Sequence, residues 1–331
     1  MQVWPTNKCN LHCKFCWRER SETSKWKNIE EIDSDLLMNA IHEGLDLSLE
    51  RLTVSGGGEP LLRREVLERI IELSSEYDTE TNVVTNGTLF DRELFIKMIE
   101  NSWDSISFSI HSFVNENSSY ITGSEVSLDK TLDNLRLVND LKREYNSEKP
   151  RLFSITVINK WNWKNIEEFI KIAEKNGFDS VSFKIPEGDE SIGEMFIENK
   201  NKEKLIEKIR KIKSRKFRDK FELGINLEFS IEDIVNYYNG DGAGSEEVKR
   251  IKSCDKPFNE IDIFADGRVA QCCNFGFSED VVGRLTWNKS LKDIWYGEKM
   301  NRIRRDMENG IFHERCKDCF PTTKAGTGED K

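Results

Sequence analysis

Short β-branched, apolar runs alternate with longer helical patterns over the first 190 residues, and this alternation limits the possible folds more than any other feature of the chain. RLTVSG at 51–56, TNVVTNG at 81–87, SISFSI at 105–110, LFSITVIN at 152–159 and SVSFKI at 180–185 read as strands. Helical patterns occupy 35–46, 64–76, 91–100, 128–143 and 165–176. A further strand at 2–4 brings the count to about six β-α units. Such a series implies a parallel α/β sheet of buried apolar strands, either doubly wound or curled into a partial (β/α)6 barrel of TIM type.

Both architectures put function at the carboxyl ends of the strands. CNLHCKFC (9–16) follows the first strand, GGGEP (56–60) the second, TNGT (85–88) the third, and His111-Ser112 the fourth. Four polar motifs converging on one rim define a site. Asn86 in TNGT has turn chemistry to perform as well as any ligand contact.

The remaining chain is less regular. An acidic loop (PEGDESIGE, 186–194), a lysine-rich helix (201–213) and a glycine-rich stretch (NGDGAGSEE, 239–247) read as the last barrel helix and a linker over 191–250. A second, cysteine-rich unit spans 251–331, leaving 1–190 to the barrel. With 331 residues, 37% hydrophobic and 10% aromatic, the chain has material for a large core. Its net charge of −10 comes from interleaved acids and bases. The basic cluster KIKSRKFRDK (211–220) reads as a solvated helix face, so no nucleic-acid partner is expected. No run approaches the roughly 18 apolar residues of a membrane span, and no secretory signal is visible, so the expectation is a cytoplasmic protein without membrane contact.

Eight cysteines in a reducing compartment point to metal or catalysis rather than disulfides. Cys9, Cys13 and Cys16 share one loop. A four-iron cluster held by three thiolates keeps one iron without a protein ligand, able to bind a small molecule and pass it an electron. Zinc is the alternative, with His12 as the nearby fourth ligand. GGGEP by itself also fits a plain turn before a helix.

Together these motifs resemble the radical S-adenosylmethionine (SAM) enzymes. The resemblance rests on C-x3-C-x-aromatic-C (Cys9, Cys13, Phe15, Cys16), reinforced by GGGEP. It implies a [4Fe–4S] cluster on Cys9, Cys13 and Cys16, with Gly57, Gly58 and Glu59 binding the amino group of SAM. It also implies Phe15 near the adenine, and Ser109, His111 and Asn159 reaching the ribose. His111 stands where many relatives carry an acid, and a strand-end histidine could instead face substrate. A flavodoxin- or ferredoxin-type electron donor follows from the same resemblance. So does the chemistry: reductive cleavage of SAM, then hydrogen abstraction from an unactivated C–H bond.

From Cys254 the chain reads CDKPFNEIDIFADGRVAQCCNFGF, with Asp266-Gly267 as a hairpin turn, then a helix over 290–307 and CKDC at 316–319. This resembles the SPASM extension of radical SAM enzymes in its short twitch form. The resemblance implies one auxiliary [4Fe–4S] cluster on Cys254, Cys272, Cys316 and Cys319; a four-cysteine zinc site is the alternative. Cys273 is left over. Next to Cys272 on a strand it points to the opposite face, as a small buried hydrophobe or as a hydrogen-atom donor of the kind radical epimerases use.

The barrel begins almost at residue 1, so no N-terminal peptide-recognition domain of the kind many peptide-modifying relatives carry is expected, which favours a small polar substrate. A single auxiliary cluster also resembles the aminocyclitol dehydrogenases. The expected reaction is dehydrogenation or epimerisation of a sugar or cyclitol; modification of a ribosomally made peptide, by Cα epimerisation or cross-linking, is the alternative. A non-enzymatic iron–sulfur carrier would have no use for GGGEP.

Overall fold

The computed structural model describes residues 1–20, 23–184, 194–213, 226–227 and 254–318. Most of the acidic loop, the glycine-rich stretch, the linker and Cys319 lie outside the described residues. Strands β1 (Gln2–Val3), β2 (Arg51–Val54), β3 (Glu80–Thr85), β4 (Ser105–Ser109), β5 (Arg151–Val157), β6 (Ser180–Lys184) and β7 (Asn226–Leu227) are all parallel and lie in chain order. That order never reverses, so the sheet has the winding of a barrel rather than of a doubly wound fold. It does not close. The free side of β1 pairs in parallel with β8 (Asp262–Ile263), followed by antiparallel β9 (Arg268–Ala270) and β10 (Gly283–Arg284). The result is an open, ten-stranded mixed sheet.

Helices α1 (Ser34–Asp46), α2 (Arg64–Ser74), α3 (Arg92–Glu100), α4 (Asn115–Thr122), α5 (Ser127–Glu144), α6 (Ile166–Lys175) and α7 (Lys202–Lys213) follow their strands. Asp33 caps α1 through the N–H groups of Asp35 and Leu36, and Asp91 caps α3 through that of Leu94. The apolar stripes of these helices bury Leu37, Ile41, Leu67, Ile71, Phe95 and Leu135 against Leu52, Val83, Ile106 and Val181 of the sheet.

Composition suggested strands buried on both faces; β4 is buried so from Ser105 to Phe108, but β2, β3, β5 and β6 are not. Thr53, Asn82, Val84, Phe153, Ile155 and Ser182 are half-buried, while their neighbours in each strand are buried. An unclosed barrel explains this: helices cover one face and the other stays accessible. Among the described residues no helix is long and apolar enough to cross a membrane.

In the C-terminal unit the Asp266-Gly267 turn forms as expected, with Gly267 at φ +81° and its N–H donating to the Phe264 carbonyl at 2.8 Å. The helix expected over 290–307 is broken in two. After the short α8 (Lys256–Asn259), α9 (Leu291–Trp295) ends and α10 (Glu298–Glu308) begins around Gly297. A Cβ at Gly297 would lie 2.6 Å from the Asp293 carbonyl, so the chain can turn there only with glycine.

Candidate functional site

The loop leaving β1 carries Cys9, Cys13 and Cys16, all half-buried. The Cys16 N–H closes a tight turn on the Cys13 carbonyl at 2.9 Å, and the Leu11 N–H donates to Cys9 Sγ at 3.4 Å. Burial raises the pKa of all three thiols. Cys13 is pushed furthest, because burial adds to repulsion from Cys16 and then Cys9. Three crowded thiols of this kind ionise together only around a positive centre, which is the behaviour of cluster ligands. A cube offers each of the three thiolates its own iron, which suits three ligands on one short loop.

GGGEP runs directly against this loop. The Gly58 N–H donates to the Thr6 carbonyl and the Glu59 N–H to the Lys8 carbonyl, both at 2.8 Å. A Cβ on Gly57 (φ +47°) would meet Asn7 Oδ1 at 2.3 Å, and one on Gly58 would meet the Lys8 carbonyl at 1.8 Å. The glycines are therefore required for contact with the chain leading into the cysteine loop. Any approach of a ligand comes on top of that requirement.

Glu59 is buried. Its Oε1 accepts from Thr85 Oγ1 at 2.7 Å and from the Leu61 N–H at 3.2 Å, and its Oε2 accepts from the Asn86 N–H at 2.8 Å. Burial pushes its pKa up to about 7 against these three hydrogen bonds, so an ammonium docking on it would relieve an unfavourable charge. TNGT continues the lacing: Asn86 Nδ2 donates to Asn10 Oδ1, and Asn10 Nδ2 to Thr88 Oγ1, both at 2.8 Å.

Phe15 meets His111 edge-on at 4.7 Å between ring centroids, so two of the expected cofactor contacts do come together. His111 is buried, which drives its pKa down to about 4 and keeps the ring neutral. Its Nδ1 accepts the Val157 N–H at 3.2 Å, which assigns the remaining proton to Nε2. Asn159 is fully buried and its amide serves the turn it begins: Nδ2 donates to the Val157 carbonyl and Oδ1 accepts from Trp161. Ser109 is half-buried at the end of β4.

In the C-terminal unit, Cys272 and Cys273 do not occupy opposite faces of a strand. β9 ends at Ala270, Cys272 caps a 3₁₀ turn, and Cys273 opens it in an exposed position. The reading of Cys273 as a buried hydrophobe is thus corrected, because the strand stops before reaching it. Asn274 Nδ2 donates to the Arg315 carbonyl at 2.8 Å, which ties this turn to the one carrying buried Cys316. Cys254 leads into α8. There burial presses the Lys256 ammonium down, but the Glu260 carboxylate at 2.5 Å and the thiols of Cys273 and Cys272 hold it above its usual value. Lys256, two positions after Cys254, therefore lies near Cys272 and Cys273, and Cys319 lies outside the described residues.

Three features of the site escaped the sequence reading. Helix α4 receives the cysteine loop in strand-like fashion, through His12 N–H to the Thr122 carbonyl at 3.0 Å and Lys14 N–H to that of Ile121 at 2.9 Å. An aromatic bridge joins the two cysteine units: Trp17, next to Cys16, packs 4.3 Å from Phe277, which lies 5.8 Å from Trp4. Arg18, two positions past Cys16, is buried beneath the loop. The only sequence signal for the last two is their closeness to the cysteine motifs.

Comparison with known proteins agrees with this architecture. The family described as the radical SAM superfamily matches residues 4–173, and the SPASM iron–sulfur cluster-binding domain matches 254–320. A tungsten-containing aldehyde ferredoxin oxidoreductase cofactor-modifying protein of Pyrococcus furiosus is 22% identical over 95% of this chain and 85% of its own length. A probable GTP 3′,8-cyclase of Saccharolobus islandicus is 25% identical over 94% of this chain and 92% of its own. Among solved structures, Streptococcus suis SuiB bound to precursor peptide SuiA superposes with a TM-score of 0.65 at 16% identity, covering 92% of this chain and 66% of SuiB. The chain thus spans just under two thirds of that protein. SuiB has also been solved with SAM, at a TM-score of 0.63.

Proposed function

The chain belongs to the radical SAM superfamily, and on that premise we propose that it abstracts hydrogen from a C–H bond of a peptide substrate held between its two cysteine-bearing loops. It is an iron–sulfur-dependent enzyme with a SAM-binding [4Fe–4S] cluster and an auxiliary iron–sulfur cluster. We assign the first to Cys9, Cys13 and Cys16, and the second to Cys254, Cys272, Cys316 and Cys319, within a barrel over 1–190 and a C-terminal unit over 251–331. The bound cofactors supply reductive SAM cleavage and hydrogen abstraction, fed by a flavodoxin- or ferredoxin-type donor.

The protein's own residues orient the reactants. Gly57, Gly58 and Glu59 receive the SAM amino group, with Glu59 ionised by its arrival. Phe15 and neutral His111 flank the nucleoside, and Ser109 offers a hydroxyl at the same rim. Asn159 shapes the adjoining turn. Exposed Cys273 is the candidate hydrogen donor to a substrate radical.

The contact between Trp17 and Phe277 carries this reading. It brings the two cysteine loops side by side, with half-buried aromatic rings where they meet. Such a surface suits peptide side chains better than a polyhydroxylated ring, which calls for convergent polar groups. SuiB, which has the same fold, binds a precursor peptide. The second reading is a small molecule, and the name of the GTP cyclase relative favours it. The deciding experiment offers reconstituted enzyme deuterated peptides and deuterated small hydroxylated metabolites, with Cys13→Ala as the inactive control. Deuterium entering 5′-deoxyadenosine from peptides alone supports the proposal; transfer from the small molecules alone overturns it.

A further inference from the structure

Arg18 is only 6% exposed. Its Nε donates to the Asn7 carbonyl at 2.7 Å and its Nη1 to that of Leu11 at 3.5 Å, so it grips both the approach to the cysteine loop and the loop itself. Among the described residues no carboxylate forms an ion pair with it. A buried guanidinium held by carbonyls alone is costly unless another anion offsets its charge. The neighbouring acid, Glu19, is committed to Lys27 at 3.3 Å and His12 at 3.1 Å. Arg18 sits within the loop it grips, two positions past Cys16 and with its Nη1 on the Leu11 carbonyl midway between Cys9 and Cys13, so a negatively charged cluster on those cysteines would lie beside this guanidinium.

We propose that Arg18 is a built-in counter-charge for the cluster at Cys9, Cys13 and Cys16, holding its reduction potential high enough for the electron to enter. The inference rests on the assignment of those three ligands and is independent of the substrate. A four-iron cube on three thiolates is net negative in both oxidation states, and more so once reduced. A fixed cation in a low-dielectric pocket therefore favours the reduced form. The step is the uptake of one electron from a low-potential donor, with no bond made or broken. Arg18 touches neither SAM nor substrate; it acts through the loop.

The test is a potentiometric titration of the reconstituted holoenzyme, following the paramagnetic signal that SAM perturbs. Arg18→Gln and Arg18→Met remove the charge, and Arg18→Lys keeps it. The neutral variants should show at least a tenfold fall in the equilibrium constant for reduction, about 59 mV more negative for a one-electron couple. Arg18→Lys should stay within about threefold of the parent protein. Assembly of the cluster in Arg18→Lys but in neither neutral variant also supports a charge role. A neutral variant with full iron and the parent potential overturns the proposal, as does Arg18→Lys behaving like the neutral variants. A parent protein lacking any SAM-sensitive signal would instead refute the ligand assignment, so the two failures are distinguishable.

Discussion

Single residues carry much of the site's geometry. Gly58 is the tightest example: with a Cβ 1.8 Å from the Lys8 carbonyl, Gly58→Ala must displace either GGGEP or the chain entering the cysteine loop. We expect a loss of about 3 kcal/mol, the upper end for overpacking, with lower iron retention; chemical denaturation and iron assay would show both. Two buried acids set a pH dependence. Glu59 and Asp262 both titrate near 7, raised chiefly by burial, and for Asp262 also by Glu260. Each keeps its proton in the folded state above the pH at which the unfolded chain releases it. The folded state therefore loses relative stability as pH rises from about 4 through 7. Melting temperatures of the apoprotein should fall across that window, and Asp262→Asn should flatten the fall. An unchanged slope in that variant would mean that Asp262 contributes none of it.

At the scale of elements, α4 is the support that distinguishes this loop from a free one. Ile121 is fully buried, in a small cluster with Met195, Phe15 and Trp161, and its carbonyl holds Lys14 of the cysteine loop. Ile121→Ala should cost about 3 kcal/mol of stability and speed iron loss from the cluster under a chelator, whereas the equally exchangeable surface residue Val126 should do neither when replaced. The sequence did not disclose this helix. NENSSYIT is dominated by asparagine and serine, and its two apolar positions set no period. The other barrel helices were legible because their apolar stripes face the sheet at regular intervals. The cysteine motifs were legible for a different reason, since their pattern resembles that of a family whose models match this chain. Arg18, the Trp17–Phe277 contact and the break at Gly297 were not legible. Each is decided by what the segment meets after folding: a pair of carbonyls, a ring from 260 residues away, or the end of the preceding helix.

For the whole molecule, the C-terminal unit is part of the barrel's own sheet. β8 pairs with β1 in parallel, with Val3 in register with Ile263. Arg268 then clamps the junction: it stacks on Trp26 at 3.8 Å, pairs with Asp266, and donates to the carbonyls of Ser278 and Gly276. This arrangement separates two effects that removing the auxiliary cluster would otherwise confound. Ending the chain at residue 253 strips β8 from β1 and leaves an unpaired strand edge beside the exposed rings of Trp4 and Trp17, so the truncated protein should aggregate on size-exclusion chromatography. Cys272→Ala leaves the strand pairing and the Arg268 clamp untouched. It should remain monodisperse, unfold in a single transition like the parent, and bind about four irons in place of about eight. Because Trp17 and Phe277 still meet in that variant, SAM cleavage should persist while product formation fails, which assigns the second cluster to the electron balance of the reaction. Loss of SAM cleavage as well, with the first cluster intact, would instead make the two loops one cooperative unit.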